Sequence, residues 1–181
     1  MKHTLVVYAS RYGYTRRYAQ WIAEQLGCCA VEARQVRAEQ LAACEVLVYG
    51  GGLYAGGLNG AKKILADPCA LAGKELVLFT CGLADPADEP TREHIRAGLA
   101  KTLPEPVMGQ AHLFFLRGGM DYARLSLVHR AMMAMLRRML LKKPEAERTG
   151  QDKDLLATYG QSVDFVEPET ARPLVELVQG L

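Results

Sequence analysis

Leu5-Val6-Val7-Tyr8-Ala9 runs directly into Ser10-Arg11-Tyr12-Gly13-Tyr14-Thr15, and behind it Tyr18, Ile22 and Leu26 recur at helical spacing. The apolar run reads as a buried strand, the polar stretch as a short loop, and residues 14–27 as a helix. A loop that opens on a helix N-terminus suits phosphate, because unpaired N–H groups and the positive end of the helix dipole converge there. Ser10 and Thr15 offer hydroxyl donors, and Gly13 lets the backbone approach a ligand closely. Arg11 adds charge at the same place. The stretch predicts an α/β domain with a phosphorylated ligand at one sheet edge.

The rest of the chain repeats the alternation. Further strands are expected at 30–36, 45–49, 75–80 and 112–116, with helices at 38–44, 58–66 and 90–102 between them. Pro68 and Pro104 are read as stops. Apolar strands separated by helices predict a parallel sheet covered on both faces, a three-layer α/β fold. Ligands of such sheets bind at the C-terminal strand edge. The loops Gly50–Gly57 and Cys81–Pro86 are therefore expected to face the same crevice as Ser10–Thr15. Gly50–Ala55 nominally fits G-x-G-x-x-A, but it follows the third strand and no acid ends the next strand to hold a ribose. It reads as a flexible wall carrying one aromatic, Tyr54, equally consistent with a plain surface tyrosine. Asp85, before Pro86, reads as a turn or cap residue that can also face the crevice.

Residues 123–143 predict a long helix. Leu125, Val128, Met132, Met133, Met135, Leu136, Met139 and Leu140 share one face, with Arg130, Arg137 and Arg138 opposite. His129 falls inside the apolar face and reads as a core or boundary residue. Packing against the sheet edge is the expected role of the helix. The sharper alternative is a surface helix that meets a membrane or a partner, with Met135 and Met139 as a flat, adaptable contact. A short strand at 159–166 and a closing helix at 168–178 complete one domain over residues 1–181.

Net charge is +2, from 22 basic and 20 acidic residues. Residues 124–143 hold six of the basic residues and no acid, so a basic segment sits on a mildly acidic body. One basic helix without aromatic interleaving does not favour nucleic acid. Five cysteines fit no disulfide or zinc framework, and the four histidines show no metal-ligand spacing. No apolar stretch reaches the length of a membrane span, and the first apolar run is too short for a signal peptide. A cytoplasmic protein without a metal is expected.

Ser10-x-x-Gly13-x-Thr15, the aromatic second loop and Cys81-Gly82-Leu83-Ala84-Asp85 resemble the flavodoxin-like FMN-binding fold over essentially the whole chain. Gly118-Gly119-Met120-Asp121-Tyr122, the Met-rich helix and Thr158–Phe165 resemble the branch that includes the quinone-linked protoporphyrinogen dehydrogenases. The resemblance implies five parallel strands in the order 2-1-3-4-5, with residues 123–160 as an insertion. It implies FMN, with the phosphate on Ser10, Arg11, Tyr12, Gly13, Tyr14 and Thr15. The ring would lie between Gly52, Leu53, Tyr54 and Ala55 on one side and Cys81, Gly82, Leu83 and Asp85 on the other. It implies an organic substrate such as a porphyrinogen and a quinone acceptor. Arg11, Arg16 and Arg17 beside the phosphate loop are expected to favour the reduced, anionic flavin. No side chain stands out as a general acid or base. The competing reading is an electron carrier between proteins, with Asp85, Asp88 and Glu89 as an acidic rim. A relative that has lost FMN is disfavoured by the intact Ser10, Gly13 and Thr15.

Overall fold

The computed structural model describes residues 2–54 and 56–181. Five strands lie parallel: β1 (Thr4–Ala9), β2 (Ala30–Glu32), β3 (Val46–Tyr54), and, after the short hairpin strand β4 (Gly57–Leu58), β5 (Glu75–Gly82) and β6 (Ala111–Arg117). Their order is β2-β1-β3-β5-β6. This is the expected 2-1-3-4-5 arrangement with one antiparallel hairpin added on β3. The strand runs lack polar alternation because both faces are covered. Val7, Leu47, Tyr49, Leu76 and Leu78 pack on one side with Ile64, Leu65 and Leu99. Val6, Val48, Val77 and Phe79 pack on the other with Tyr18, Ile22, Leu174 and Val178.

The helices follow the chain as α1 (Tyr14–Gln25), α2 (Ala38–Ala43), α3 (Ala61–Leu65), α4 (Pro68–Leu71), α5 (Glu89–Thr102), α6 (Glu105–Gln110), α7 (Leu127–Lys142), α8 (Gly150–Ala157) and α9 (Arg172–Gly180). A second small sheet pairs β7 (Gly119–Asp121) antiparallel with β8 (Ser162–Asp164), which fastens residues 122–161 to the end of β6.

Four expectations need correction. The second strand has three residues, ending at Glu32 rather than 36. Gly50, Gly51 and Gly52 are not a flexible loop. They extend β3, paired with Tyr8 and Ala9 on one side and with Phe79, Thr80 and Cys81 on the other. Glycine is required there by space: a Cβ on Gly50 would sit 1.9 Å from the Phe79 ring. The third helix begins at Ala61 rather than 58, because Gly57 and Leu58 pair with Tyr54 and Leu53 as β4. It stops before Pro68 as expected, and Pro68 opens α4, whose N-cap Asp67 carboxylate accepts from Cys69 N–H at 2.9 Å. Finally, α7 does not pack into the core: none of its residues is buried.

Candidate functional site

The C-terminal ends of β1, β3 and β5 open on one cavity of about 500 Å³. Ser10, Arg11, Tyr12, Tyr14 and Thr15 line it from the first loop, Gly52, Leu53 and Tyr54 from β3, and Cys81, Gly82 and Leu83 from β5. Two of the expected site residues fall elsewhere, and a third is not described. Gly13 is the N-cap of α1, with φ +98 and its N–H donated to Ser10 Oγ at 3.1 Å, and does not form wall. Asp85 borders a neighbouring hollow with Arg117 and Phe165. Ala55 lies outside the described residues.

The donor set fits a phosphate. The first hydrogen bond of α1 runs from Arg17 N–H to Gly13 C=O at 3.1 Å, so the amides of Tyr14, Thr15 and Arg16 have no acceptor within the helix. No side chain caps α1 and no acid sits in its first turn. The bare face of Gly52 lies beside the Thr15 hydroxyl, and a Cβ there would crowd the Tyr54 ring at 3.2 Å. Open amides, a hydroxyl and the helix dipole therefore meet at one end of the cavity.

The rest of the wall is mostly apolar and uncharged. Burial pushes the Cys81 thiol up to about 12, so it stays protonated. Burial likewise raises the Tyr54 and Tyr14 hydroxyls above the ordinary tyrosine value. The third loop is held from outside by Arg117. Its Nε donates to Leu83 C=O at 3.3 Å, and its other nitrogens lie 3.5 Å from Asp85 and 3.8 Å from Asp154 of α8. Its guanidinium rests 3.9 Å from the Phe165 ring centroid.

The last wall comes from α7. Met132, Met133, Met135, Leu136 and Met139 line the cavity, with Leu155 of α8 beside them. His129 meets the crevice as well: its Nδ1 is 2.6 Å from Tyr12 Oη, and its ring stacks on Tyr54. The sequence reads His129 as a core or boundary residue, and it lies half-buried at the edge of the crevice. His94 and Ile95 of α5 also reach the cavity and carried no signal in the sequence, as do Gly119 and Met120, which the sequence marked only through the family resemblance. Among the described residues no cluster of three or more His, Cys, Asp or Glu side chains could hold a metal.

A parallel sheet in this order, with a phosphate cradle after its first strand, defines a mononucleotide-binding α/β domain. A family model described as "Flavodoxin domain" matches residues 5–147, and the chain belongs to that family. FMN is the cofactor of this family, and the open amides of α1 with Ser10 and Thr15 are groups that fit a phosphate. Solved structures resemble the chain at low identity and with TM-scores below 0.5. A WrbA-like flavodoxin from Agrobacterium tumefaciens is 14% identical with a TM-score of 0.47, covering 98% of this chain and 99% of its own. A flavoprotein from Bacteroides eggerthii is 15% identical with a TM-score of 0.48, covering 75% and 96%. A flavodoxin from the domain Archaea is 16% identical with a TM-score of 0.41, covering 64% and 85%. No curated protein matches the chain.

Proposed function

We propose that this protein is an FMN-dependent oxidoreductase that takes electrons from an organic substrate and passes them to a quinone or a similar acceptor. Protoporphyrinogen IX is the specific substrate candidate. The observation that carries the reading is the α7 wall: the phosphate cradle continues into a space faced by four methionines and one leucine of α7, with Leu155 of α8 beside them. An electron carrier meets its partners across an open flavin edge, whereas an enzyme for a flat apolar substrate needs an apolar chamber beside the ring. Thioether side chains suit that task because they are unbranched and polarisable.

Bound FMN supplies the redox chemistry. The protein's own groups hold and enclose it. The α1 amides, Ser10 and Thr15 fix the phosphate end, Tyr54 and Leu83 stand beside the ring site, and Arg117 stiffens the loop that carries Leu83. The methionines of α7 give the remaining space an apolar lining, with Met132, Met135 and Met139 staying 46%, 62% and 61% exposed at its mouth. Each pair of electrons and protons removed from the substrate reduces one quinone to a quinol, so the exchange balances without a further reductant.

The carrier reading loses support from its own residues. Asp85 faces Arg117, Asp88 caps α5 by accepting from Thr91 N–H at 3.1 Å, and Glu89 pairs with Arg92. All three are engaged within the fold rather than arrayed as a free acidic rim. The test is direct. A yellow protein that releases FMN on heating is expected, and under anaerobic conditions it should oxidise protoporphyrinogen with a quinone as acceptor. A protein that binds FMN yet turns over no porphyrinogen with any quinone returns the carrier reading.

We further propose a peripheral membrane contact through residues 124–143. Leu127, Val128 and Leu141 are 81%, 68% and 48% exposed on α7 and do not line the cavity. Among the described residues no helix is long and apolar enough to cross a membrane.

A further inference from the structure

His129 holds α7 to the crevice. It leaves the first turn of the helix, where Ser126 Oγ accepts its N–H at 3.3 Å as the N-cap. Its Nδ1 lies 2.6 Å from Tyr12 Oη, across 117 positions of sequence. Its ring stacks on Tyr54 with centroids 5.5 Å apart and 28° between planes, while Tyr12 meets it edge-on at 5.8 Å and 64°. One imidazole thus touches the phosphate loop, the end of β3 and the helix that forms the apolar wall.

Its protonation state follows from its surroundings. Burial first, and Arg11 second, hold His129 below the ordinary histidine value. A cation in the first turn of a helix is also opposed by the dipole. Of the two neutral tautomers, the one protonated on Nε2 accepts on Nδ1 from the Tyr12 hydroxyl. The ionisable groups facing it are Arg11 and Tyr12 from the first loop and Tyr54 from β3. None is an acid, so a protonated His129 gains no counter-charge there.

We propose that His129 is a positioning residue that latches α7 onto the two FMN-binding loops, so that the Met-lined wall closes the crevice only while the Tyr12–His129–Tyr54 contact holds. The inference rests on the FMN reading for its consequence, and on the contact itself for its geometry. In the Nε2–H tautomer, protonation at Nδ1 removes the acceptor of the Tyr12 hydroxyl, so that bond is present above the ordinary histidine value and is lost as pH falls through the lowered one.

The full chain is used for the test. Trypsin cleavage at Arg137 and Arg138 reports opening of α7 without any cofactor, and the rate of FMN release reports on the crevice. His129→Ala and Tyr12→Phe are each expected to speed both processes about tenfold. The double variant should be no faster than either single one, because both remove the same contact. Tyr12→Phe removes one oxygen from a surface loop, so it reads the latch even if His129→Ala disturbs the fold. FMN release from the wild type should also quicken as pH falls below the ordinary histidine value, and that step should vanish in His129→Ala. Cleavage of both single variants at the wild-type rate, or fully additive effects, overturns the latch. A wild type that takes up no FMN overturns the cofactor reading instead, and the cleavage arm still decides the latch.

Discussion

Gly50 shows how little room the centre of the sheet leaves. The Phe79 ring occupies the place of its missing Cβ, with three ring atoms within 2.5 Å of that point. Gly50→Ala should destabilise the fold by about 1–3 kcal/mol through overpacking, read as a lower denaturation midpoint with an unchanged slope. Phe79→Leu in the same chain should recover part of the loss, which a backbone-strain account would not give. Arg117 makes the second residue-scale case. It is partly exposed, and each of its ion pairs is long, so those pairs contribute little. Its stacking on Phe165 and its bond to Leu83 contribute more. Arg117→Lys keeps the charge and loses the planar fork. Stability should fall by about 1 kcal/mol, and FMN should bind several-fold more weakly by fluorescence titration, because the third loop loses its external brace.

At the scale of elements, the strand-to-helix junction at residues 4–15 was legible because period, glycine and hydroxyls all point the same way. The continuation of β3 through Gly50–Gly52 was not. Glycine runs read as loops by propensity, and the reason for these glycines, the Phe79 ring and Leu58 above them, lies on other elements. α6 escaped notice because Pro104 reads as a stop, although Pro106 in the first turn of the helix costs it no internal hydrogen bond. Likewise, a helical wheel shows that α7 is amphipathic without showing what covers its apolar face. In the structure its methionines turn to the cavity and its mouth, while Leu127, Val128 and Leu141 face outward. All the large exposed hydrophobics among the described residues lie on this one helix. Its segment carries six basic residues and no acid, so an anionic lipid surface is the complementary partner. Wild type should float with anionic vesicles and much less with zwitterionic ones. Arg137→Glu with Arg138→Glu should cut flotation about tenfold or more, and a wild type that stays at the bottom of the gradient with anionic vesicles defeats the membrane contact.

Across the whole molecule a net charge of +2 conceals a field concentrated on one edge. Arg17 is paired with Asp164, so its charge is largely compensated. Arg11 and Arg16 are exposed and have no ion-pair partner among the described residues, and the α1 dipole adds to them on the same side. The positive potential of the crevice therefore rests on two arginines rather than the three beside the loop. Their effect acts through solvent and is screened beyond a Debye length of about 8 Å at physiological salt, shrinking to about 3 Å at 1 M. Arg11→Glu with Arg16→Glu should weaken FMN binding about tenfold at low salt and hardly at all at 1 M. Arg17→Gln should change it little under either condition. The same double reversal should lower the midpoint potential of the bound flavin, because the electron-rich form loses its nearby cations. Redox titration of the wild type, the double variant and Arg17→Gln at two salt concentrations measures this. A potential that is identical in all three would mean that the field at the ring is set by the hydrogen bonds and apolar walls of the crevice, with the surface arginines acting only on the phosphate.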